Sequence, residues 1–482
     1  MSTALQRLNR PVLAILAVGL LAGGLRFNEL AFPQRRIFDE YYYPKSACIL
    51  LGYSDARCDI NSANERFWRE DKLDTGAWVH PPVGKWMIAI GEVIFGPESP
   101  FGWRFSSAFF GTATVMLLAV IAQLLFGSAL WTFVVGLLLA VENLSFVQSR
   151  TATLDVFVAF WVVAGFAFLL LDRRWIERRS DPPDPDPSRP PRVRAPLWRP
   201  WRFAAGAAFG AGFATKWSVL AAMLGAIAVC LTWEVTRRRR AGLAHPILDA
   251  IPAEGFGLVL AFLVVPALVY VASYTGWFLH FGWDLGEWAR MQGAIASYHE
   301  HLQNVDPATG EPMHAYLANA WKWLLLWRPI FYYGTYGEGF RRVIYANGNP
   351  AIFWASLVAI PYVSFAWWRD RDWRAGFIVV AIAAQYVPWF FISRPQFFFY
   401  VTPIVPFLVL ADVYALRRLS EIRFESLSSS SMQPRWVRPY VPLAFGFVVA
   451  AIGLFVWFWP TMTAGVMTDT DWVRRAWFTS WT

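Results

Sequence analysis

Apolar residues run through this chain in long stretches separated by short polar breaks, and a stretch of about 20 such residues is long enough to cross a bilayer as a helix. On that pattern about eleven spans are predicted, some of them short and sheltered by neighbours. They are Pro11 to Leu25, Phe105 to Phe126, Ala129 to Val147 and Leu154 to Leu171, then two short helices within Phe203 to Trp233, then Gly255 to Tyr274. Ala351 to Trp368, Ala375 to Ile392, Phe397 to Leu416 and Val441 to Trp459 complete the set. The Phe203 to Trp233 run is too long for one span and is interrupted by Thr215-Lys216-Trp217-Ser218, so its two helices are expected to meet near Lys216. No small-x-small cleavage site precedes the polar segment at Arg26, which makes the first stretch a retained anchor.

The polar breaks set the expected orientation. Nine arginines lie between Arg173 and Arg202 in a proline-rich segment that cannot build a core, and further arginines cluster at Arg237 to Arg240, in RDRDWR, and between Arg417 and Arg438. Cytoplasmic loops retain Lys and Arg, so these four connections are read as inside, with the N-terminus in and the C-terminus out. Two large loops, 26–104 and 275–350, then fall outside, and 351–482 forms a region of four helices and a tail. Gln148 to Thr153, Lys216 and Ser393 to Gln396 fall on the same outer side.

Composition agrees. The 482 residues are 56% hydrophobic and only 16% charged, with 28 Trp and 40 Phe, which excludes a disordered, collagenous or coiled-coil chain and fits aromatic belts at two membrane interfaces. The net charge of +9 sits in the loops and gives no reason to expect nucleic acid. Cys230 lies in an apolar run and is read as buried filler, whereas Cys48 and Cys58 share the first outer loop, where spacing alone leaves a bridge and two free thiols equally open.

The ionisable residues in the outer segments are the candidates for chemistry. RIFDEYYYPK places Asp39 and Glu40 beside Tyr41, Tyr42 and Tyr43. Adjacent loop carboxylates are ordinarily just solvated, but an acid pair flanked by three tyrosines near a bilayer resembles a sugar or polar-ligand cleft more than a plain linker. In WVHPPVGKWMIAIGEVIFG a His-Pro-Pro turn opens an apolar segment, Val83 to Phe95, too short to span and expected to lie along the outer interface with Lys85 at headgroup level and His80 anchoring the turn. Arg104 opens the second span in WRFSSAFFG, where a lone cation ordinarily snorkels to headgroups. Arg150 and Asp155 stand where they can pair or cap a helix. Lys216 at membrane depth is expensive and is expected to line a cavity.

Together with SFVQSRTATLD, ATKWS and SRPQFFFYVTPIVPFL, these segments resemble, in order and over almost the whole chain, the protein O-mannosyltransferases of the GT-C superfamily of polyprenyl-phosphate-sugar-dependent glycosyltransferases. The resemblance implies an all-α polytopic GT-C fold of eleven transmembrane helices in the plasma (inner) membrane of a bacterium, with its active site outside the cytoplasm. It implies polyprenyl-phosphate-mannose, or another polyprenyl-phosphate-linked hexose, as donor and Ser or Thr hydroxyls of a secreted or membrane polypeptide as acceptor, with association with the secretion machinery as a further expectation. It also implies Asp39 as catalytic base, Glu40 as an acceptor-binding group and Arg104 as the holder of the lipid phosphate, with His80, Lys85 and Lys216 as weaker candidates for that work. Eukaryotic members insert a MIR domain before the last four spans. The 76 residues from Thr275 to Pro350 cannot contain one and are rich in Trp and Tyr, similar to bacterial members. No close His/Asp/Glu cluster has ligand spacing, which leaves a divalent metal undecided. Two rivals stand beside this reading. A GT-C transferase acting on a lipid or envelope glycan, like the aminoarabinose transferases, shares the N-terminal motifs. A transporter would show repeat symmetry and mid-membrane charges.

Overall fold

The structure, a computed structural model, describes residues 2–62, 65, 79–179, 193, 195–426 and 435–481. Eight of its helices are long and apolar enough to cross a membrane: Arg10–Phe27, Pro100–Phe126, Asp155–Glu177, Val219–Arg240, Pro246–Ser273, Pro350–Asp370, Trp373–Phe391 and Val441–Met462. The shorter helices Ala129–Ala140, Pro200–Phe213 and Val405–Glu421 pack among them. Of the arginine-rich loop 172–202, residues 180–192 and 194 lie outside the described residues.

Local chemistry explains where the helices begin and end. Ser99 accepts from the Gly102 amide to start the Pro100 helix, and Gly127, at a left-handed φ of 64°, ends it. The expected span from Ala129 to Val147 instead stops at Ala140, because the Glu142 carboxylate accepts from the Leu144 and Ser145 amides and starts a new short helix, Asn143–Gln148. The expected Phe397 to Leu416 span likewise divides into a 3-10 turn, Phe398–Val401, and a helix from Val405, with prolines 403 and 406 between and at the start. The 203–233 run breaks between Phe213 and Val219, around Lys216. In the Pro246–Ser273 rod a π-helical turn at Leu260–Val264 precedes Pro266, accommodating its missing N–H.

Packing between the rods follows membrane logic, in which small residues let backbones approach. A Cβ on Gly206 would lie 1.7 Å from the Ala261 carbonyl oxygen, so the Pro200 helix and the Pro246 rod touch only because Gly206 lacks one. At the centre Phe166 meets Phe209, Phe377 and Phe407 edge-on at 5.1 to 5.5 Å, joining four helices.

The 275–350 loop adds strands that the hydrophobic pattern did not predict. Helix Leu285–Glu300 is followed by an antiparallel hairpin, Ile330–Gly337 with Phe340–Ala346, closed over Gly339 at φ 73°. The C-terminal strand Met467–Thr468 pairs with Phe340 and Arg341, and the Trp481 indole donates to the Leu326 carbonyl, so tail and loop share one end of the molecule. Cys48 and Cys58 are bridged, with Cα atoms 5.6 Å apart, and Cys230 is buried.

Candidate active site

Asp39 and Glu40 occupy a single 3-10 turn, Phe38–Tyr41. Glu40 is 0% exposed and all its acceptor capacity faces inward: Oε1 accepts from Arg104 Nε at 2.8 Å and from the Ala152 amide at 2.9 Å, and Oε2 from Arg104 Nη2 at 2.8 Å and the Ile37 amide at 3.0 Å. Arg104, 1% exposed, uses its remaining N–H groups on the carbonyls of Leu30 (3.2 Å), Pro33 (2.9 Å) and Arg35 (2.9 Å). The two residues expected to meet acceptor and phosphate thus lie inside the protein, where they fasten loop 30–40 to the Pro100 helix and to the connection before Asp155.

Asp39 keeps partial exposure while lying among groups that make its charge costly. Burial raises its pKa to about 7, the neighbouring Asp155 adds to that rise, and Lys216 opposes it. Lys216 Nζ donates to both Asp155 oxygens, at 3.0 and 3.1 Å, and lies 4.5 Å from the Tyr400 ring centroid. Arg150 does not pair with Asp155. It caps the first helix, donating to the carbonyls of Leu25, Arg26, Asn28 and Glu29.

On the other flank, Arg394 Nη1 stands 3.1 Å from His299 Nδ1, and since a guanidinium only donates, that nitrogen accepts. Nε2 then carries the proton and donates to the Val79 carbonyl at 2.9 Å, which fixes one neutral tautomer. Burial, with Arg394 nearby, lowers His299 to about 4. His80 stacks on His299 at 5.1 Å, and burial followed by the charge of Lys216 holds its pKa well below the usual value. Both imidazoles are neutral at pH 7. The helix Val83–Phe95 docks at the Lys216 break, its Val83 amide donating to the Ala214 carbonyl at 3.0 Å. Lys85 is turned inward rather than to headgroup level, with Nζ donating to the His80 carbonyl at 2.6 Å and closing the His-Pro-Pro turn.

Asp39, Asp155, Lys216, His80, His299 and Arg394 therefore share one end of the bundle. Asp155, His299 and Arg394 were not singled out as site residues. Each is an ionisable group among aromatics in the sequence, but their partners lie 61 and 95 residues away and are not legible there. Among the described residues no group of three or more His, Cys, Asp or Glu is placed to hold a metal ion.

The fold superposes on the Saccharomyces cerevisiae protein O-mannosyltransferase complex bound to the sugar donor, with a TM-score of 0.71 at 13% identity over 98% of this chain and 92% of that one. The likeness shows the GT-C fold expected from the sequence. Residues 16–281 match the model of the dolichyl-phosphate-mannose-protein mannosyltransferases, and residues 285–481 match that of the C-terminal four-helix region of protein O-mannosyltransferases. The polyprenol-phosphate-mannose–protein mannosyltransferase of Mycolicibacterium smegmatis is 31% identical over 96% of this chain and 91% of its own length, and that of Corynebacterium glutamicum 28% identical over 98% and 94%. The chain belongs to the protein O-mannosyltransferase family and is a transferase.

Proposed function

We propose that this protein moves mannose from polyprenyl-phosphate-mannose to Ser or Thr hydroxyls of polypeptides at the outer face of a bacterial plasma membrane. Asp39 serves as base, and Lys216, assisted by Arg394, meets the donor phosphate. The observation that carries the reading is the placement of a raised-pKa carboxylate beside a lysine held at a helix break. A hydroxyl is a weak nucleophile until a positioned base takes its proton. Asp39 accepts that proton as the oxygen attacks the anomeric carbon; the carbon–oxygen bond to phosphate breaks, and the electron pair leaves with polyprenyl phosphate. Attack in line inverts the centre without a covalent enzyme intermediate. The leaving phosphate is stable as an anion, so cations suffice to receive it and no general acid is required.

In this scheme Arg104 and Glu40 act through Asp39, as positioning residues, and His80 and His299 shape the cleft as neutral rings. Lys216→Ala is expected to weaken donor binding by about ten- to a hundredfold, the worth of one charge-assisted contact. The check is titration of the purified variant with polyprenyl-phosphate-mannose; wild-type affinity would shift the phosphate to Arg394. The activity itself is tested by incubating protein, donor and a Ser/Thr-rich peptide and following a hexose mass increase on the peptide. Mannose appearing only on lipid or glycan would favour the other GT-C chemistry.

Sidedness rests on the arginine-rich loops. Reporter tags in 172–202 and 234–254 are expected to read as cytoplasmic and a tag on the C-terminal tail as external. A protease-protected tail in intact cells would mean a miscounted span, with the Phe203 to Trp233 run the first to re-examine.

A further inference from the structure

Glu40 anchors the chain that follows Asp39, through Arg104 and the Ala152 amide. The chain that precedes it is held differently, by rings. Phe38, the first residue of the turn that carries Asp39, has a left-handed φ of 47°, a conformation that a bulky side chain adopts only where its surroundings impose it. Those surroundings are two aromatic side chains. Tyr332 stacks on Phe38 with ring centroids 4.1 Å apart and planes 8° from parallel, and Phe399 packs against it edge-to-face at 5.5 Å and 82°.

Neither partner is local in sequence. Tyr332 stands on the hairpin strand Ile330–Gly337 and is 4% exposed, and its phenol oxygen accepts from Gln148 Nε2 at 3.0 Å, so the ring is pinned at its far end as well. Phe399 belongs to the turn Phe398–Val401 and is buried, with its ring centroid 5.5 Å from Lys216 Nζ. One ring therefore touches both the residue before Asp39 and the cation proposed for the donor phosphate. A catalytic group must be held within about 0.5 Å of its productive place, and a strained turn wedged between two packed rings is held that closely.

We propose that Phe38 is a positioning residue, clamped by Tyr332 and Phe399 so that the Asp39 carboxylate keeps a fixed place relative to Lys216. The inference rests on the reading of Asp39 as the base. It gives the hairpin of the 275–350 loop a part in the reaction, because Tyr332 sets where that base sits. The charged and titratable groups that face Asp39 are Asp155, Lys216 and the phenols of Tyr43, Tyr332 and Tyr400. Loosening the turn admits water to a carboxylate whose pKa burial holds at about 7, and so lets that pKa fall.

The test uses the full-length protein with polyprenyl-phosphate-mannose and the Ser/Thr-rich peptide, reading single-turnover rate, donor affinity, the acid limb of the pH profile and thermal unfolding. In Phe38→Leu the side chain stays apolar but cannot stack. Its rate is expected to fall by about ten- to a hundredfold, the scale of a misplacement near 1 Å, with donor affinity within about twofold of wild type. Its acid limb should move to lower pH. Tyr332→Phe, which keeps the ring and drops only the Gln148 anchor, should slow transfer several-fold, and it decides the matter alone if Phe38→Leu does not fold. A wild-type rate in the deciding variant would overturn the clamp. So would a loss of donor affinity in step with rate, or a rate loss matched by lost folded protein with the acid limb unmoved. Asp39→Asn, run alongside, separates this inference from the reading beneath it: wild-type turnover there removes the base and the clamp together, whereas a slow Asp39→Asn beside a fast Phe38→Leu overturns the clamp alone.

Discussion

Asp39→Asn is expected to lower single-turnover transfer by roughly 10²- to 10⁴-fold while donor binding stays near wild type, because it removes a proton acceptor without changing shape. The wild-type pH profile supplies an independent check. Burial raises Asp39 to about 7, so the carboxylate form that the proposed scheme requires predominates above that pH and is lost as pH falls through it. The rate in wild type should then fall about tenfold per unit on the acid side and level off on the alkaline side. In Asp39→Asn that limb should vanish, leaving a low, flat residual rate. Wild-type turnover in the variant, or a wild-type profile without an acid limb, would remove Asp39 from proton transfer.

Arg104→Ala should be the most destabilising of the single changes. It strands the Glu40 carboxylate at 0% exposure without its counter-ion and releases three backbone carbonyls of loop 30–40. Breaking one partner out of a buried pair costs about 3–5 kcal/mol. Thermal unfolding should therefore drop together with transfer. Arg104→Lys should rescue little, since a point charge cannot replace a fork that engages Glu40 and three carbonyls at once. Glu40→Gln keeps an acceptor for Arg104 and should be milder, appearing as a lower turnover number with donor affinity unchanged, the signature of a displaced Asp39. Pairing it with Arg104→Met should recover much of the lost stability without recovering activity. If instead Arg104→Ala unfolds like wild type and loses only donor affinity, Arg104 belongs on the phosphate and the positioning role falls.

Much of this architecture was legible in the sequence. The helix break at Lys216, the short helix Val83–Phe95 and the major apolar rods all follow from run length, prolines and caps. A helix closes its hydrogen bonds within four residues, so the information that makes it is local. The same locality produced the errors. The 129–147 run looked like one span because the pattern scores Glu142 as a single polar residue, not as a carboxylate that starts a second helix. The hairpin of Ile330–Gly337 with Phe340–Ala346 was hidden in a Trp- and Tyr-rich loop whose strands find their third partner more than a hundred residues away, at Met467–Thr468.

The candidate site divides along the same line. Its acidic pair and Lys216 stood out because ionisable groups near a bilayer are costly wherever they point. Which of two adjacent carboxylates remains available and which is sealed was decided only by the tertiary structure, by the arrival of Arg104 from 64 residues away and of the Ala152 amide from 112. The same holds for Lys216 with Asp155 and for His299 with Arg394. A side chain's charge is written in the sequence. The partner that satisfies that charge depends on which helix ends fold to the same place, and in a low-dielectric interior that partner decides whether the group builds the site or acts in it.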